Sequence, residues 1–376
     1  MNRPLKIGIL GGGQLGRMLL QSAANYNVET FVLESGKNPP AASLCHHFIE
    51  GDINDYETVY KFGKLVDVLT IEIEHVNLEA LLKLEEEGLK IYPKPNALKI
   101  IKDKGLQKEF YRDHHIPTSE FYFINRKHEL NGHIDFLPAA QKLRSGGYDG
   151  KGVEILREAE DFHKAFDAPS VIEKLVIIDK EISVLVARNG GGETAVYPPV
   201  EMVFNPRYNL VDYLLSPAEL TDEQIMLAKQ IALDVVKALD SSGIFAIEMF
   251  LDTAGKLWVN ETAPRTHNSG HQSIEGNYCS QYDMQMRVLQ GLPLGETGTT
   301  QPSLMLNLIG QPGYTGPVKY QGLPEVMAMK KVYVHLYGKQ ETKPGRKMGH
   351  VTILGENKGE LLEKAELIKE KLKIIS

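Results

Sequence analysis

The stretch Gly243-Ile244-Phe245-Ala246-Ile247-Glu248-Met249-Phe250-Leu251 is followed, after a short turn, by Leu257-Trp258-Val259-Asn260-Glu261. The first segment is apolar on both alternating faces, which is typical of a strand that is buried on both sides. Glu248 stands in the middle of this segment, where an isolated ionised carboxylate is very unfavourable. The sequence therefore predicts a buried hairpin whose acid requires a compensating partner.

The turn between the two strands decides which residue faces Glu248. If Ala254-Gly255 forms a two-residue loop, counting back along both strands places Glu248 directly opposite Glu261. Directly opposed residues have Cβ atoms about 4.5–5.5 Å apart, and like charges there are destabilising. Three interpretations follow: a Mg²⁺ ion held by both carboxylates, to which Asn260 would add an amide oxygen; a proton shared by the two acids; or ordinary salt bridges.

A glycine loop near the N-terminus suggests a phosphate site. Gly11, Gly13 and Gly16 satisfy the pattern G-x-G-x-x-G between an apolar run and a helical pattern. Such glycines let the backbone turn tightly and approach a phosphate at a helix N-terminus. Glu34 lies where a ribose-binding acid would be expected. The motif alone indicates an NAD-dependent dehydrogenase, another phosphate-bearing ligand, or a tight turn without any cofactor.

A second glycine loop, at residues 145–152, contains four glycines and Lys151. Glycine-rich loops expose N–H groups that can surround phosphate oxygens. Lys142 lies just upstream among small and apolar residues, so we expect its ammonium group to approach an anion. The alternative is a hairpin whose lysine extends along the surface. The segment does not match the P-loop pattern.

Two further polar segments are candidates for anion binding. Residues 261–271 are dense in hydrogen-bond donors, and Arg265 offers a planar fork suited to carboxylate, bicarbonate or phosphate. His267, Asn268 and His271 would complete an oxyanion pocket, unless the segment is a solvated loop. The basic segment at residues 343–350 is either a second anion site or a surface turn.

Outward from these motifs, strands alternate with helices in the first hundred residues, which predicts a parallel α/β sheet. This domain is expected to end near Pro93-Lys94-Pro95. One helix is predicted over Ala97–His114, and an amphipathic helix over Asp222–Leu239, with Thr221 as its N-cap. Strands are also predicted in the last third of the chain, at Ser303–Ile309, Val332–Tyr337 and Val351–Leu354.

Composition limits the class of protein. The 376 residues carry a formal net charge of −7, which argues against a general nucleic-acid binder. Two cysteines, Cys45 and Cys279, lack the spacing of a metal site or a disulfide framework and are expected to be reduced, buried thiols. No apolar run approaches the roughly 20 residues needed to span a bilayer, and no signal peptide is evident. A cytoplasmic location is the expectation.

These motifs together resemble the ATP-grasp superfamily of ligases. Three segments are similar to the N5-carboxyaminoimidazole ribonucleotide synthase family within it: Gly-Gly-Tyr-Asp-Gly-Lys-Gly at 146–152, Asn-Glu-x-Ala-Pro-Arg-x-His-Asn-Ser-Gly-His at 260–271 and Pro-Gly-Arg-Lys-x-Gly-His at 344–350. The resemblance implies an α/β fold, α+β in its central part. Its domains would be a Rossmann-like domain at 1–95, an ATP-grasp unit at 96–295 with a lid at about 115–180, and a small β-rich domain at 296–376.

The resemblance also implies an ATP and Mg²⁺ site. Glu248 and Glu261 would hold the metal, and the remaining contacts to the nucleotide would come from Lys104, Lys142, Gly147, Tyr148, Asp149, Gly150, Lys151, Gly152, Val153, Glu173, Lys174, Leu175, Val176, Glu181, Asn260 and Glu261. The adenine-binding linker would be 173–176, and Glu181 the ribose ligand. The family often has a histidine where this chain has Val203-Phe204, so one polar contact near the nucleotide is expected to be missing.

For the second substrate, the resemblance implies aminoimidazole ribonucleotide with its 5′-phosphate, surrounded by Gln14, Leu15, Tyr148, Asp149, Arg346 and Lys347, with Glu74 at a strand end that faces this site. Bicarbonate would lie against Arg265, His267 and Asn268, and the catalytic set would comprise these three residues with Lys142 and Asp149. The first glycine loop would then serve the ribonucleotide rather than NAD. A homodimer is implied as well, with neither nucleic acid nor membrane as a partner.

The implied reaction is ATP-dependent carboxylation of aminoimidazole ribonucleotide by bicarbonate in purine biosynthesis, through carboxyphosphate. Three other functions stay open at this stage. They are a different ATP-grasp ligase such as a formate-dependent glycinamide ribonucleotide transformylase, an NAD-dependent dehydrogenase, and a non-catalytic nucleotide-binding regulator.

Overall fold

The computed structural model describes residues 3–146, 152–205 and 210–376. Its first domain is a parallel five-stranded sheet in the order β3-β2-β1-β4-β5, flanked by helices, as predicted. The elements, in chain order, are β1 (Leu5–Leu10), α1 (Gln14–Ala23), β2 (Val28–Glu34), β3 (His47–Glu50), α2 (Tyr56–Gly63), β4 (Val68–Ile71), α3 (Leu78–Glu86) and β5 (Lys90–Tyr92). The carboxyl ends of β1 and β4 lie side by side and carry the first glycine loop and Glu72.

Two helices, rather than the single predicted one, connect this domain to the rest. They are α4 (Pro95–Lys102) and α5 (Lys104–Asp113). Asp103 between them has an extended backbone, and its side chain accepts hydrogen bonds from the N–H groups of Gly105 and Leu106. An aspartate that caps the next helix interrupts the preceding one, because the N-cap residue leaves the helical region.

A separate antiparallel sheet of four strands follows, in the order β6-β9-β7-β8. Its strands are β6 (Phe121–Ile124), β7 (Ala139–Leu143), β8 (Val153–Leu156) and β9 (Ser170–Lys174). Short 3₁₀ segments at Lys127–Phe136 and Ala159–Lys164 lie between them. This sheet falls within the span predicted for the lid, whose boundaries stay a prediction.

The remaining elements that the structure describes are mainly strands, with five helices between them. They are β10 (Ile178–Arg188), β11 (Thr194–Val196), β12 (Val200–Asn205), β13 (Leu210–Ser216), α6 (Asp222–Leu239), β14 (Gly243–Asp252), β15 (Leu257–Ala263), α7 (Ser273–Gly276), α8 (Gln281–Gln290), β16 (Ser303–Ile309), β17 (Gly316–Pro317), β18 (Lys319–Gln321), α9 (Leu323–Met327), β19 (Val332–Leu336), β20 (Glu341–Thr342), β21 (Lys347–Leu354), α10 (Lys358–Lys371) and β22 (Lys373–Ile375). The predicted helix at Asp222–Leu239 is confirmed, with Thr221 accepting a hydrogen bond from the N–H of Gln224.

Nine of these strands form one large sheet in the order β15-β14-β10-β12-β13-β16-β21-β19, with β11 also paired to β10. The C-terminal strands join it because β16 pairs with β13 from Tyr213↔Leu306 to Ser216↔Ser303. Helix α6 packs on one face, where Val235 and Val236 belong to the same buried cluster as Val184. The small β-rich C-terminal region therefore extends the central sheet. No helix in the described part of the chain combines the length and the apolar character that crossing a membrane requires.

Candidate active site

The two glutamates of the hairpin face each other, as predicted, although the turn is different. Strand β14 pairs with β15 in the register Leu251↔Leu257 at the turn, so the loop is the three residues Thr253, Ala254 and Gly255 rather than two. A β-bulge lies between the pairs Met249↔Val259 and Glu248↔Glu261, with Asn260 as the extra residue. The bulge moves the register by one and cancels the error in the predicted turn.

This bulge also explains why two successive side chains line the site. A regular strand sends neighbouring side chains to opposite faces, whereas a bulge places two residues against one on the partner strand. Leu257 and Val259 are buried on the side of the core, and Asn260 and Glu261 are both only partly buried. An amide oxygen and a carboxylate are thereby both presented beside Glu248.

The electrostatics of the acid pair are asymmetric. Burial, and then the charge of Glu261, raises the pKa of Glu248 above its usual range. The ammonium of Lys104, which is ion-paired to Glu261, lowers the pKa of Glu261 in spite of burial. His267 Nε2 lies 3.6 Å from Glu248 Oε1. Glu261 thus has the salt bridge expected on the interpretation as ordinary ion pairs, while a negative charge is disfavoured on the more deeply placed Glu248.

A divalent cation fits this donor set. The carboxylates of Glu248 and Glu261 and the amide oxygen of Asn260 are hard oxygen ligands, the kind that Mg²⁺ takes together with substrate phosphates. A cation between them would relieve the repulsion that raises the pKa of Glu248. Glu181 adds a third acid on the same face of the sheet, because it pairs with Phe250 two positions from Glu248. Burial raises the pKa of Glu181 to about 7.

Behind the acid pair, Glu173 connects two lysines. Its Oε1 lies 3.0 Å from the Nζ of Lys142, and its Oε2 lies 2.8 Å from the Nζ of Lys108. Burial alone would raise the pKa of Glu173, but the two lysines outweigh it and lower that pKa to about 2. Lys142 also donates to Asn260 Oδ1 at 2.7 Å, so the lysine contacts one of the candidate oxygen ligands for a metal.

The predicted adenine-binding linker is firmly tied to the four-stranded sheet. The Nζ of Lys174 donates to the carbonyls of Phe136 and Leu137, and the N–H of Leu175 donates to the carbonyl of Pro138. Since these side-chain and backbone groups are engaged, contacts to a base are left to the other backbone groups of residues 173–176. Of the predicted phosphate loop, Gly147, Tyr148, Asp149, Gly150 and Lys151 lie outside the described residues. Gly152 and Val153 continue into β8, where Val153 pairs with Lys142.

The first glycine loop binds carboxylates of the chain itself. The N–H of Gly12 donates to Glu34 Oε2 and that of Leu15 to Glu72 Oε1, each at 3.0 Å. A Cβ on Gly13 would lie 2.6 Å from Glu72 Oε1, so the glycine makes room for that acid. Burial raises the pKa of Glu72 to about 7. The N–H groups that a dinucleotide phosphate would need are thus already used, which argues against the dehydrogenase interpretation.

Arg265 and Glu74, predicted for two different substrates, form an ion pair. Arg265 Nε lies 2.9 Å from Glu74 Oε1, and both side chains are about one-fifth exposed. Nearby, His267 Nδ1 lies 2.9 Å from the hydroxyl of Ser269. Asn268 begins the short 3₁₀ turn after His267, so these residues cluster at one end of the acid pair.

The two basic residues predicted in the tail have different surroundings. Arg346 Nη1 donates to the carbonyl of Glu341 at 2.8 Å. Lys347, the first residue of β21, is close enough to the acid pair to lower the pKa of Glu248 by its charge. Gln14 begins α1, at the carboxyl edge of the first sheet.

His271 is a correction to the sequence interpretation. It was expected to complete an oxyanion pocket, but it is only 1% exposed and cannot reach a ligand. Its ring stacks on His350 with centroids 4.7 Å apart, and His350 stacks on His335 at 4.4 Å. Tyr282 and Tyr337 bond to the Nδ1 atoms of His271 and His350 respectively, each at 3.0 Å. We call these three histidines the histidine stack.

The sequence interpretation missed both this stack and Lys108. The stack has no local signal, since His335 and His350 meet only because β19 pairs with β21. Lys108 is one helical turn beyond Lys104, and that i, i+4 spacing is the only feature that could have indicated a shared face.

Comparison with known proteins identifies the class of enzyme to which this site belongs. Models of three domains match consecutive parts of the chain: a ribonucleotide synthetase preATP-grasp domain at 5–102, an ATP-grasp domain at 109–282 and a phosphoribosylaminoimidazole carboxylase C-terminal domain at 303–364. Together with the acid pair and its lysines, these matches define an ATP-grasp ligase.

Similar proteins narrow the class to a family. The crystal structure of N5-carboxyaminoimidazole ribonucleotide synthetase from Thermotoga maritima is 40% identical, covers 99% of both chains and superposes with a TM-score of 0.92. The Aspergillus clavatus synthase, solved with ADP and 5-aminoimidazole ribonucleotide, is 32% identical over 98% of this chain and 99% of its own, with a TM-score of 0.90. This chain belongs to the N5-carboxyaminoimidazole ribonucleotide synthase family.

Some curated relatives are longer proteins. Phosphoribosylaminoimidazole carboxylase of Vigna aconitifolia is 36% identical over 363 residues, which are 93% of this chain. The chain spans 64% of the length of that relative.

Proposed function

We propose that this protein carboxylates aminoimidazole ribonucleotide with bicarbonate and ATP, forming N5-carboxyaminoimidazole ribonucleotide, ADP and phosphate in purine biosynthesis. One observation carries the proposal: Glu248 and Glu261 oppose each other beside Asn260, with Lys104 and Lys142 within bonding distance of this group. Paired acids next to paired lysines suit a metal-bound polyphosphate, because the acids would bind the metal ion and the lysines would bind the phosphates.

On this proposal, Glu248, Glu261 and Asn260 hold Mg²⁺, which would offset charge on the phosphates. Lys104 and Lys142 donate to the phosphate oxygens, and their charges stabilise the transferring phosphoryl group. Residues 147–153 would cover the phosphates, with the linker at 173–176 against adenine and Glu181 against the ribose. Excluding water is required because the carboxyphosphate intermediate hydrolyses readily.

The carboxylation half-site would lie at the other end of the acid pair. Arg265, with His267 and Asn268, would orient bicarbonate for attack on the terminal phosphate of ATP. Since Arg265 is paired with Glu74, the residue proposed for bicarbonate is held by one proposed for the ribonucleotide. That pair would align the two substrates.

The remaining contacts to the ribonucleotide are proposed for Gln14, Leu15, Tyr148, Arg346 and Lys347. Which group accepts the proton of the substrate amine is open between the released phosphate and Asp149. A homodimer, which rests on resemblance to the family, and a cytoplasmic location complete the proposal.

The test is ADP release from the purified full chain. We expect Mg²⁺-dependent ADP formation that requires both aminoimidazole ribonucleotide and bicarbonate, with the N5-carbamate trapped as ¹⁴C from labelled bicarbonate. Formate with glycinamide ribonucleotide serves as the alternative substrate pair. Activity with that pair alone would assign a transformylase. If neither substrate pair leads to release of phosphate, the proposed ligase is refuted.

A further inference from the structure

A buried triplet of charged side chains, formed by Lys108, Glu173 and Lys142, lies behind the acid pair. Glu173 lies between Lys108 and Lys142 and contacts both, and the side chains of Lys108, Glu173 and Lys142 are 3%, 5% and 11% exposed. Lys104, which faces the acid pair, is 25% exposed. Exposure thus decreases from the site inward, and Lys108 is the deepest cation.

Lys108 has no donor left for a ligand. Its ammonium carries three N–H donors, and it has three partners: Thr118 Oγ1 at 2.6 Å, Ser119 Oγ at 3.1 Å and Glu173 Oε2 at 2.8 Å. Ser119 in turn donates to the same carboxylate oxygen at 2.9 Å. Lys108 therefore acts through Glu173 and not on a substrate.

The charge of the triplet depends on this lysine. Glu173 alone would neutralise Lys142 in a one-to-one pair, and a neutral pair attracts a triphosphate weakly. With Lys108 on the far oxygen of the carboxylate, the triplet carries a net charge of +1. Desolvation lowers the pKa of Lys108 to about 8, so the lysine is still mostly protonated at pH 7. In a buried site of low dielectric constant, the interaction energy of two unit charges a few ångströms apart is much larger than in water.

We propose that Lys108 is a positioning residue that offsets Glu173, so that the positive charge of Lys142 stays available to the phosphates of the nucleotide. This inference rests on the proposed nucleotide site and adds to it the residue that sets its potential. It assigns the Glu173 carboxylate to the lysines, and leaves any contact between the linker and adenine to backbone groups.

The experiment measures the dissociation constant of Mg·ADP by titration calorimetry on the full chain. Four proteins change the formal charge of the triplet: wild type (+1), Lys108→Met (0), Glu173→Gln (+2) and the double variant (+1). We expect Lys108→Met to bind about tenfold more weakly or worse. Glu173→Gln should bind at least as tightly as wild type, and the double variant should return to within about threefold of wild type. Lys99→Met, on the exposed side of α4, is the matched control and should bind like wild type.

Affinity that follows the charge of the triplet supports the proposal. It is overturned if Lys108→Met binds like wild type, if the double variant stays as weak as Lys108→Met, if Glu173→Gln binds more weakly than wild type, or if Lys99→Met is weakened equally. Should Lys108→Met fail to fold in a thermal melt, the other variants still decide, because the double variant removes the buried acid together with the deepest cation and leaves Lys142 its hydrogen bond to Asn260 Oδ1. Absence of Mg·ADP binding by wild type would instead refute the nucleotide site and the proposed function.

Discussion

At the scale of single residues, the site is dominated by the cost of placing negative charges together. Glu248 is flanked by Glu261 and Glu181, and the nearby cations Lys104 and Lys347 offset their charge only in part. Fold stability alone would favour a neutral side chain here, since burial raises the pKa of this acid. A residue that is unfavourable for folding and well placed for a cation is best explained by function.

Glu248→Gln therefore separates stability from activity. The amide keeps the shape of the side chain and removes its charge. We expect the thermal midpoint to stay or rise, and bicarbonate-dependent ADP formation to fall about 10²-fold or more, because a charge on the metal-type site is lost. Glu223→Gln, an exposed acid of α6, is the control and should retain full activity. Unchanged ADP formation in Glu248→Gln would remove the metal role.

At the scale of elements, the turn from β1 to α1 is shaped by an acid from a neighbouring strand. Gly11 has φ +104°, and a Cβ there would lie 2.9 Å from the Cβ and from Oε2 of Glu72. Gly36 has φ +82° with no atom within 4 Å of its hypothetical Cβ. Both positions are strained for an alanine backbone, but only Gly11 is also crowded.

The two alanine variants should differ for that reason. Gly36→Ala is expected to lower the free energy of unfolding by about 1–2 kcal/mol, the backbone cost of a positive φ. Gly11→Ala should lose about 1–3 kcal/mol more, because the Glu72 carboxylate must leave the N–H of Leu15. Urea unfolding followed by far-UV circular dichroism measures both. Equal losses would show that the contact with Glu72 is not required.

At the scale of the whole molecule, the histidine stack joins the segment that carries Arg265 and His267 to the strands of the C-terminal region. His350 is fully buried, and among the described residues its Nε2 has no hydrogen-bond partner. Burial, and then the neighbouring histidines, lowers the pKa of His350 well below its usual range. The contact between these regions therefore favours the neutral form of the His350 ring.

This predicts a loss of stability in acid. Below about pH 6.5 the unfolded chain protonates this histidine and the native state does not, so the free energy of unfolding falls as pH is lowered, by about 1.4 kcal/mol per pH unit for one such group. His350→Phe keeps a stacked ring without a proton to bind. Between pH 6.5 and 5.5 its stability should decline by about 1 kcal/mol less than that of wild type, measured by urea unfolding, because at pH 6.5 only about half of the unfolded chains carry this proton. Parallel slopes would mean that His350 is protonated in the native state.

Several features of the fold were predictable because their causes are local. Thr221 and Gln224 mark the start of α6, and the alternation of apolar strands and helices predicts the first sheet. The opposed pair Glu248 and Glu261 was predicted with the wrong turn, and the bulge at Asn260 compensated. A bulge has no sequence signature of its own. The pairing of Glu248 with Glu261 was therefore predicted correctly from a turn and a register that were both wrong.

The sequence by itself indicated the class of chemistry, because an acid in a buried strand requires a compensating partner and three motifs resemble those of an ATP-grasp family. Only the tertiary structure decided how those charges are shared. It showed that Glu72 occupies the first glycine loop, that Arg265 is tied to Glu74, and that Lys108 lies behind Glu173. These contacts join residues that are 57 (Leu15 and Glu72) to 191 (Glu74 and Arg265) positions apart along the chain. Electrostatic energy depends on distance in space, which spacing along the chain does not specify.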